Sequence, residues 1–208
     1  MPDASPLTRT PTTPTTPPPQ VFIIAGPNGA GKSTLAPYLL RDAFGVGEFV
    51  NADTIALGLS AFSPESVTFA AGRIMLARLR DLARARQSFA FETTLATRSY
   101  AAFVARLRRE GYEFQLLYLT LRSPELAVER VRSRVRLGGH AVPAVVVRRR
   151  FLGGARNFLR LYRPLADTWG MYDNSTLDAP CPVAVGRRDE FTKVLQPNLW
   201  HEFQRRSQ

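Results

Sequence analysis

The sequence predicts an α/β fold, a parallel β-sheet flanked by helices on both faces. Apolar runs at 21–25 and 114–121 lack the polar alternation of a half-exposed strand and so read as strands covered on both sides. Between such runs lie segments with an apolar period near 3.6. Helix-start and glycine-turn signals mark the joins, giving the order β-α-β-α-β-α-β, the pattern of a parallel sheet with crossover helices.

The elements follow in turn. Residues 1–20 hold seven of the 16 prolines and six threonines, with no apolar block of signal-peptide length, and are expected to be a disordered tail. A strand at 21–25 runs into a glycine-rich turn, after which a helix is expected from Lys32 to about Ala43. Phe49 and Val50 form a short second strand leading into Asn51-Ala-Asp53. Ser63-Pro64-Glu65 reads as a helix start, Ser63 as the cap, and Val67, Ala71, Ile74, Met75, Leu79 and Leu82 give the helix over 64–86 its apolar stripe. A third strand ends at Glu92, a helix covers 98–109, and a fourth strand occupies 114–121. Ser123-Pro124-Glu125 opens a helix that stops at Gly138-Gly139, a further helix spans about 143–163, and 169–173 is expected to be the last core strand.

Composition removes several function classes. With 45% hydrophobic residues and no apolar run near the roughly 20 residues a bilayer demands, no membrane-spanning helix is expected. One cysteine, Cys181, cannot close an internal disulfide, which suits a reducing cytoplasm, and with only His140 and His201 beside it the usual zinc sets are excluded. Any metal must therefore be held by oxygen. The net charge of +11 favours anionic partners. Of the 28 basic residues only Lys32 and Lys193 are lysines, so position 32 asks for a compact ammonium that a planar guanidinium does not replace.

Gly26-Pro27-Asn28-Gly29-Ala30-Gly31-Lys32-Ser33 satisfies G-x-x-x-x-G-K-[ST] between a predicted strand and a predicted helix, the context in which that pattern binds phosphate. The expected fold is thus that of a P-loop NTPase. Backbone amides of 26–34 would converge on phosphate oxygens of ATP at the positive end of the helix, Lys32 would reach the β- and γ-phosphates, and the Ser33 hydroxyl would ligate Mg²⁺, with Thr34 closing the loop. No N-K-x-D guanine element occurs, nor an L-S-G-G-Q signature, nor an apolar strand ending in Asp-Glu.

The acceptor must be sought at the other strand ends. Asp53 follows the second strand, at the carboxyl edge where ligands of parallel sheets bind, and can take a proton from an attacking hydroxyl, order Mg²⁺ through water, or simply cap the helix beginning at Thr54. Glu92, with Thr93 and Thr94 beside it, suits a polyol, although either threonine can cap the next helix. Arg73 and Arg98 fall on helices flanking the same edge: Arg98 begins a helix near Glu92 and can pair with it or with an anionic substrate, whereas Arg73 can equally be solvated. Between 122 and 163 lie 11 arginines against Glu125 and Glu129, on two helices joined by Gly138-Gly139-His140. Such a segment, over about 123–163, reads as a lid delivering guanidinium groups to the transferred phosphoryl, each worth up to about 10³ to 10⁵ in rate. A different reading of the same arginines is a nucleic-acid-associated P-loop ATPase or binding module, with Phe151, Phe158 and Tyr162 interleaved for stacking, but no nucleic-acid motif accompanies them.

Five pieces in order, the phosphate loop through Thr34, Asn51-Ala-Asp53, Phe91-Glu-Thr-Thr-Leu95, Arg134-Val-x-x-Gly-Gly-His140-x-Val-Pro143 and Asp173-Asn-Ser175, resemble the zeta-toxin-like P-loop kinases over about 21–176. The resemblance implies one kinase domain over 21–208, with ATP and Mg²⁺ on Lys32 and Ser33, Asp53 as base, and substrate on Glu92 and Thr93. It also implies transition-state arginines at Arg134 and one of Arg148 to Arg150, here taken as Arg149. Zeta toxins phosphorylate UDP-N-acetylglucosamine and are restrained by a small antitoxin, so a nucleotide-sugar substrate, an antitoxin partner and a cytoplasmic location follow as expectations.

Overall fold

The computed structural model describes residues 17–207 except 44, 140, 177 and 189, and gives only the backbone for 41–43. The expected tail and His140 fall largely or wholly outside these residues. Among the described residues seven strands form one sheet in the order β2-β3-β1-β4-β5-β6-β7. These are β1 (Gln20–Ala25), β2 (Phe49–Val50), β3 (Phe89–Thr93), β4 (Glu113–Thr120), β5 (Thr168–Asp173), β6 (Cys181–Arg187) and β7 (Phe191–Val194). The first five in spatial order are parallel, and β6 and β7 add on antiparallel.

Period-two packing explains why the central strands are apolar on both faces. On β1, Val21, Ile23 and Ala25 join Phe89, Phe91, Phe114, Leu116 and Tyr118 in the main core. Phe22 and Ile24 face the other way, against Ala36, Leu40 and Val46. Helices α1 (Lys32–Pro37), α2 (Ala52–Leu59), α3 (Thr68–Arg84), α4 (Ser99–Arg109), α5 (Pro124–Arg136), α6 (Ala144–Asn157) and α7 (Pro197–Arg206) complete the described fold. No described helix is long and apolar enough to cross a membrane.

Several expected elements change in detail. The helix from Lys32 winds as α only to Pro37, whose ring lacks an amide proton, and continues to Ala43 with π-type winding. The helix expected over 64–86 begins as a 3₁₀ turn, Pro64–Val67. Ser63 does not cap it through its side chain; its carbonyl accepts from the Ser66 amide and hydroxyl. After α6 the chain winds on through Phe158–Tyr162 and Arg163–Leu165, so the single helix expected over 143–163 is three segments. The strand near 169–173 is not the last of the core, because Val183 and Ala184 on β6 are fully buried.

The arginine-rich segment is fastened to the body. Ala127, Val128 and Val131 of α5 and Val147 and Phe151 of α6 pack with Leu119, Leu121 and Ala30 of the phosphate loop. Phe158 and Tyr162 are also fully buried in the main core, so the aromatics that a polymer would need for stacking are committed to packing.

Candidate functional site

A cavity of about 430 Å³ opens at the carboxyl ends of β1 and β3. One wall is the loop between β1 and α1 that carries the phosphate-loop motif. Positive φ at Gly26, Gly29 and Gly31 winds this loop tightly, and a Cβ on Gly26 would lie 2.2 Å from the Leu119 carbonyl oxygen. Asn28, Gly29, Gly31, Lys32, Ser33 and Thr34 line the cavity, while Gly26, Pro27 and Ala30 are buried behind it.

Lys32 opens α1 and is only 6% exposed. Its Nζ donates to the Pro27 carbonyl at 3.0 Å and lies 3.5 Å from Glu92 Oε1. Burial holds its pKa below the ordinary lysine value; Glu92 and Asp53 oppose that shift, and Arg134 reinforces it. The Ser33 hydroxyl donates to Glu92 Oε2 at 2.7 Å, and the Asn51 carboxamide donates to the same oxygen at 2.9 Å. Glu92 therefore ties the end of β3 to the phosphate loop.

Asn51 also settles the role of its neighbour. Its Oδ1 accepts the amides of Asp53 (2.8 Å) and Thr54 (3.4 Å), so Asn51, not Asp53, caps α2. Asp53 is left exposed in the first turn of α2, on the cavity wall. Thr93 and Thr94 line the same wall without capping a helix: their hydroxyls accept the amides of Leu95 (3.2 Å) and Ala96 (3.4 Å).

Three expected arginines lie elsewhere. Arg73 is exposed and off the wall, because α3 turns Thr68 and Met75, seven positions apart, toward the cavity. Arg98 is exposed ahead of α4, which presents Tyr100 instead. On α6, burial of Val147, Phe151 and Gly154 fixes the helix phase, so Arg150 lines the cavity and Arg149 faces outward. Arg134 does line it, as does Arg130. The Arg130 guanidinium donates to the carbonyls of Asn174 (2.6 Å), Ser175 (3.0 Å) and Thr176 (3.2 Å), bracing the loop after β5. That loop supports the nucleotide side in turn, since Asn174 Nδ2 donates to the Ala30 carbonyl at 2.8 Å.

Thr68, Met75 and Tyr100 carry no local signal that separates a cavity position from a core one. Tyr100 donates to Met75 Sδ at 3.6 Å, and burial raises its pKa. The double role of Asn51 was accessible from the sequence, as an asparagine at a strand-to-helix junction two positions before an acid. Among the described residues no three His, Cys, Asp or Glu side chains gather as a metal site.

Comparison with known proteins agrees with this architecture. Residues 21–154 match the profile of the AAA domain family AAA_33. An uncharacterized protein of Haemophilus influenzae is 27% identical over 132 residues, covering 64% of this chain and 92% of that one. Among solved structures, a chain of the AvrRxo1-ORF1:AvrRxo1-ORF2 complex with sulphate ions superposes with TM-score 0.72 at 18% identity, over 89% of this chain and 63% of that one. The same complex with ATP gives 0.70. A structure from the PezAT chromosomal toxin-antitoxin system of Streptococcus pneumoniae gives 0.60 at 16% identity, over 91% and 86%. The chain thus spans less than two thirds of the AvrRxo1 chain, and at these identities what is shared is a P-loop kinase-like fold. With the profile matched from β1 into α6, the chain belongs to the AAA domain family.

Proposed function

We propose that this protein is an ATP- and Mg²⁺-dependent kinase that transfers the γ-phosphoryl group to a hydroxyl of a small molecule, in the manner of the zeta-toxin-like kinases. The observation that carries this reading is that Asp53 shares one cavity with Lys32 and Ser33. The donor side fits a nucleotide. Its three glycines take positive φ and pack tightly on the protein behind them, the loop winding that turns backbone amides toward a phosphate, and Asn28 Oδ1 is buried there without a hydrogen-bond partner, ready for a donor from a ligand or its water shell. Ser33 and Glu92 supply oxygens suited to Mg²⁺, which when bound contributes neutralisation of phosphate charge.

The chain's own groups account for the remaining chemistry. Lys32 and the loop amides hold the terminal phosphates. Asp53 accepts the proton of the acceptor hydroxyl as its oxygen bonds to the γ-phosphorus and the bond to the β-phosphate oxygen breaks, releasing ADP. Arg134 and Arg150 offset charge on the transferred group; Arg150 replaces Arg149 in this role because it is the one on the wall. Thr93, Thr94 and Tyr100 offer hydroxyls to the acceptor. UDP-N-acetylglucosamine is the first acceptor to try, on the strength of the sequence resemblance. An antitoxin partner is supported by the PezAT likeness, and a cytoplasmic location by the need for ATP. The test is ATP consumption against a panel of hydroxylated acceptors. Asp53→Ala is expected to lower acceptor-dependent kcat by about 10² to 10⁴ while ATP still binds; full turnover in that variant would remove Asp53 as the base.

A further inference from the structure

The loop from Thr93 to Arg98 forms part of the acceptor side, and one of its residues is strained. Leu95 has φ +56°, a left-handed conformation unusual for a residue with a Cβ, and such strain persists only where the surroundings impose it. Its side chain is fully buried in the main core. Its carbonyl accepts a 2.7 Å hydrogen bond from Nδ2 of Asn157, itself only 7% exposed, across 62 residues of sequence.

Asn157 belongs to a stripe. Positions 150, 154 and 157 of α6 lie on one helix face by their four- and three-residue spacing. At Gly154 the helix approaches so closely that a Cβ would stand 2.3 Å from the Thr94 carbonyl oxygen. Beyond α6, the Tyr162 hydroxyl donates to the Thr97 carbonyl at 2.8 Å. One continuous segment thus packs closely on the Thr94 carbonyl and bonds those of Leu95 and Thr97, while one turn earlier it carries Arg150 to the cavity wall. On the loop, the Thr93 and Thr94 hydroxyls use an acceptor lone pair on backbone amides, which leaves each O–H proton available to a ligand.

We propose that Asn157 is the positioning residue of the acceptor wall: by holding the Leu95 carbonyl it keeps the Thr93 and Thr94 hydroxyls in register with Arg150. This rests on the kinase reading for its consequence, though the clamp itself is a property of the fold. Asn157 touches no reactant, so its loss should affect recognition of the acceptor and spare the nucleotide side.

Two variants of the full chain test it. Asn157→Leu keeps the bulk without a donor, and Asn157→Asp keeps the shape while presenting acceptor oxygens to a carbonyl. Hydrogen exchange of the 93–98 segment should accelerate about tenfold in both, with the 26–34 loop unchanged. With saturating ATP and UDP-N-acetylglucosamine as the probe, acceptor KM should rise about tenfold, with kcat and the ATP KM within about threefold of the parent. A purely structural role would lower the melting temperature and the active fraction without moving the acceptor KM. Unchanged exchange in either folded variant, or an unchanged acceptor KM in an active one, overturns the proposal. If the parent protein phosphorylates neither this probe nor any other hydroxylated acceptor, the kinase reading falls, and the exchange measurement alone decides the clamp.

Discussion

The two sides of the cavity are built in opposite ways. The nucleotide side comes almost entirely from one stretch, 28–34, whose conformation is set by its own glycines and the start of α1. The side proposed for the acceptor and the transferred group is assembled from six places: the first turn of α2, two turns of α3, the end of β3 with its loop, the start of α4, Arg134 of α5 and Arg150 of α6. A site made from one contiguous stretch tolerates small shifts in packing, whereas one gathered from six elements inherits every error in how they dock. Glu92 joins the two, with bonds to Ser33 on one side and Asn51 on the other.

The largest effect should come from the contiguous side. Lys32→Met removes the buried ammonium between the Pro27 carbonyl and Glu92, and turnover is expected to fall about 10³-fold or more under every acceptor tried, measured as ADP release. The assembled side predicts a smaller, selective loss. Arg150→Ala should cost about 10²-fold in kcat/KM, whereas Arg149→Ala, one residue away and facing outward, should match the parent. Equal losses in those two variants would mean that the phase of α6, and with it the assembled wall, is misread.

The smallest effect comes from a control at the opposite, amino edge of the sheet. Burial raises the Asp167 pKa, but the Phe114 amide and the Arg108 and Arg188 guanidinium groups outweigh it and leave the carboxyl below the ordinary aspartate value. A lowered folded-state pKa stabilises above the unfolded-state value, and that contribution fades as pH drops from there through the folded-state value. Asp167→Asn should therefore reduce stability by about 1 kcal/mol or less at neutral pH, given partial exposure of the pair, with the difference shrinking in urea titrations as pH falls below the ordinary aspartate value. Activity at neutral pH should not change, because no Asp167 contact reaches the cavity.

The same contrast explains what the sequence made legible. The phosphate loop needs only nearest neighbours to be recognised, and the parallel strands declare themselves by apolar runs that must be covered on both faces. Asp53 and Glu92 stand just past or at strand ends, which is why both reach the cavity. Arg73 and Arg149 lie off the wall because which face of a helix meets the cavity is decided by distant packing, such as Val147 and Phe151 against Leu119 and Leu121, and Arg98 because it precedes α4. β7 escaped notice because its four residues are all exposed and carry no core pattern. The fold is thus readable from local chemistry, while the wall proposed for the acceptor requires the tertiary contacts.

The two ends of the sheet have a consequence for how copies of this chain behave together. An unpaired strand edge is a template for adding another chain, and long, flat, apolar edges invite aggregation. Here one outer strand, β2, is two residues long, and the other, β7, is four residues long and carries Lys193. Joining a stranger there would give little pairing at the first and bring an ammonium against the newcomer at the second. The chain's second lysine thus stands where an edge-pairing chain would meet a charge, a setting unlike the buried one of Lys32.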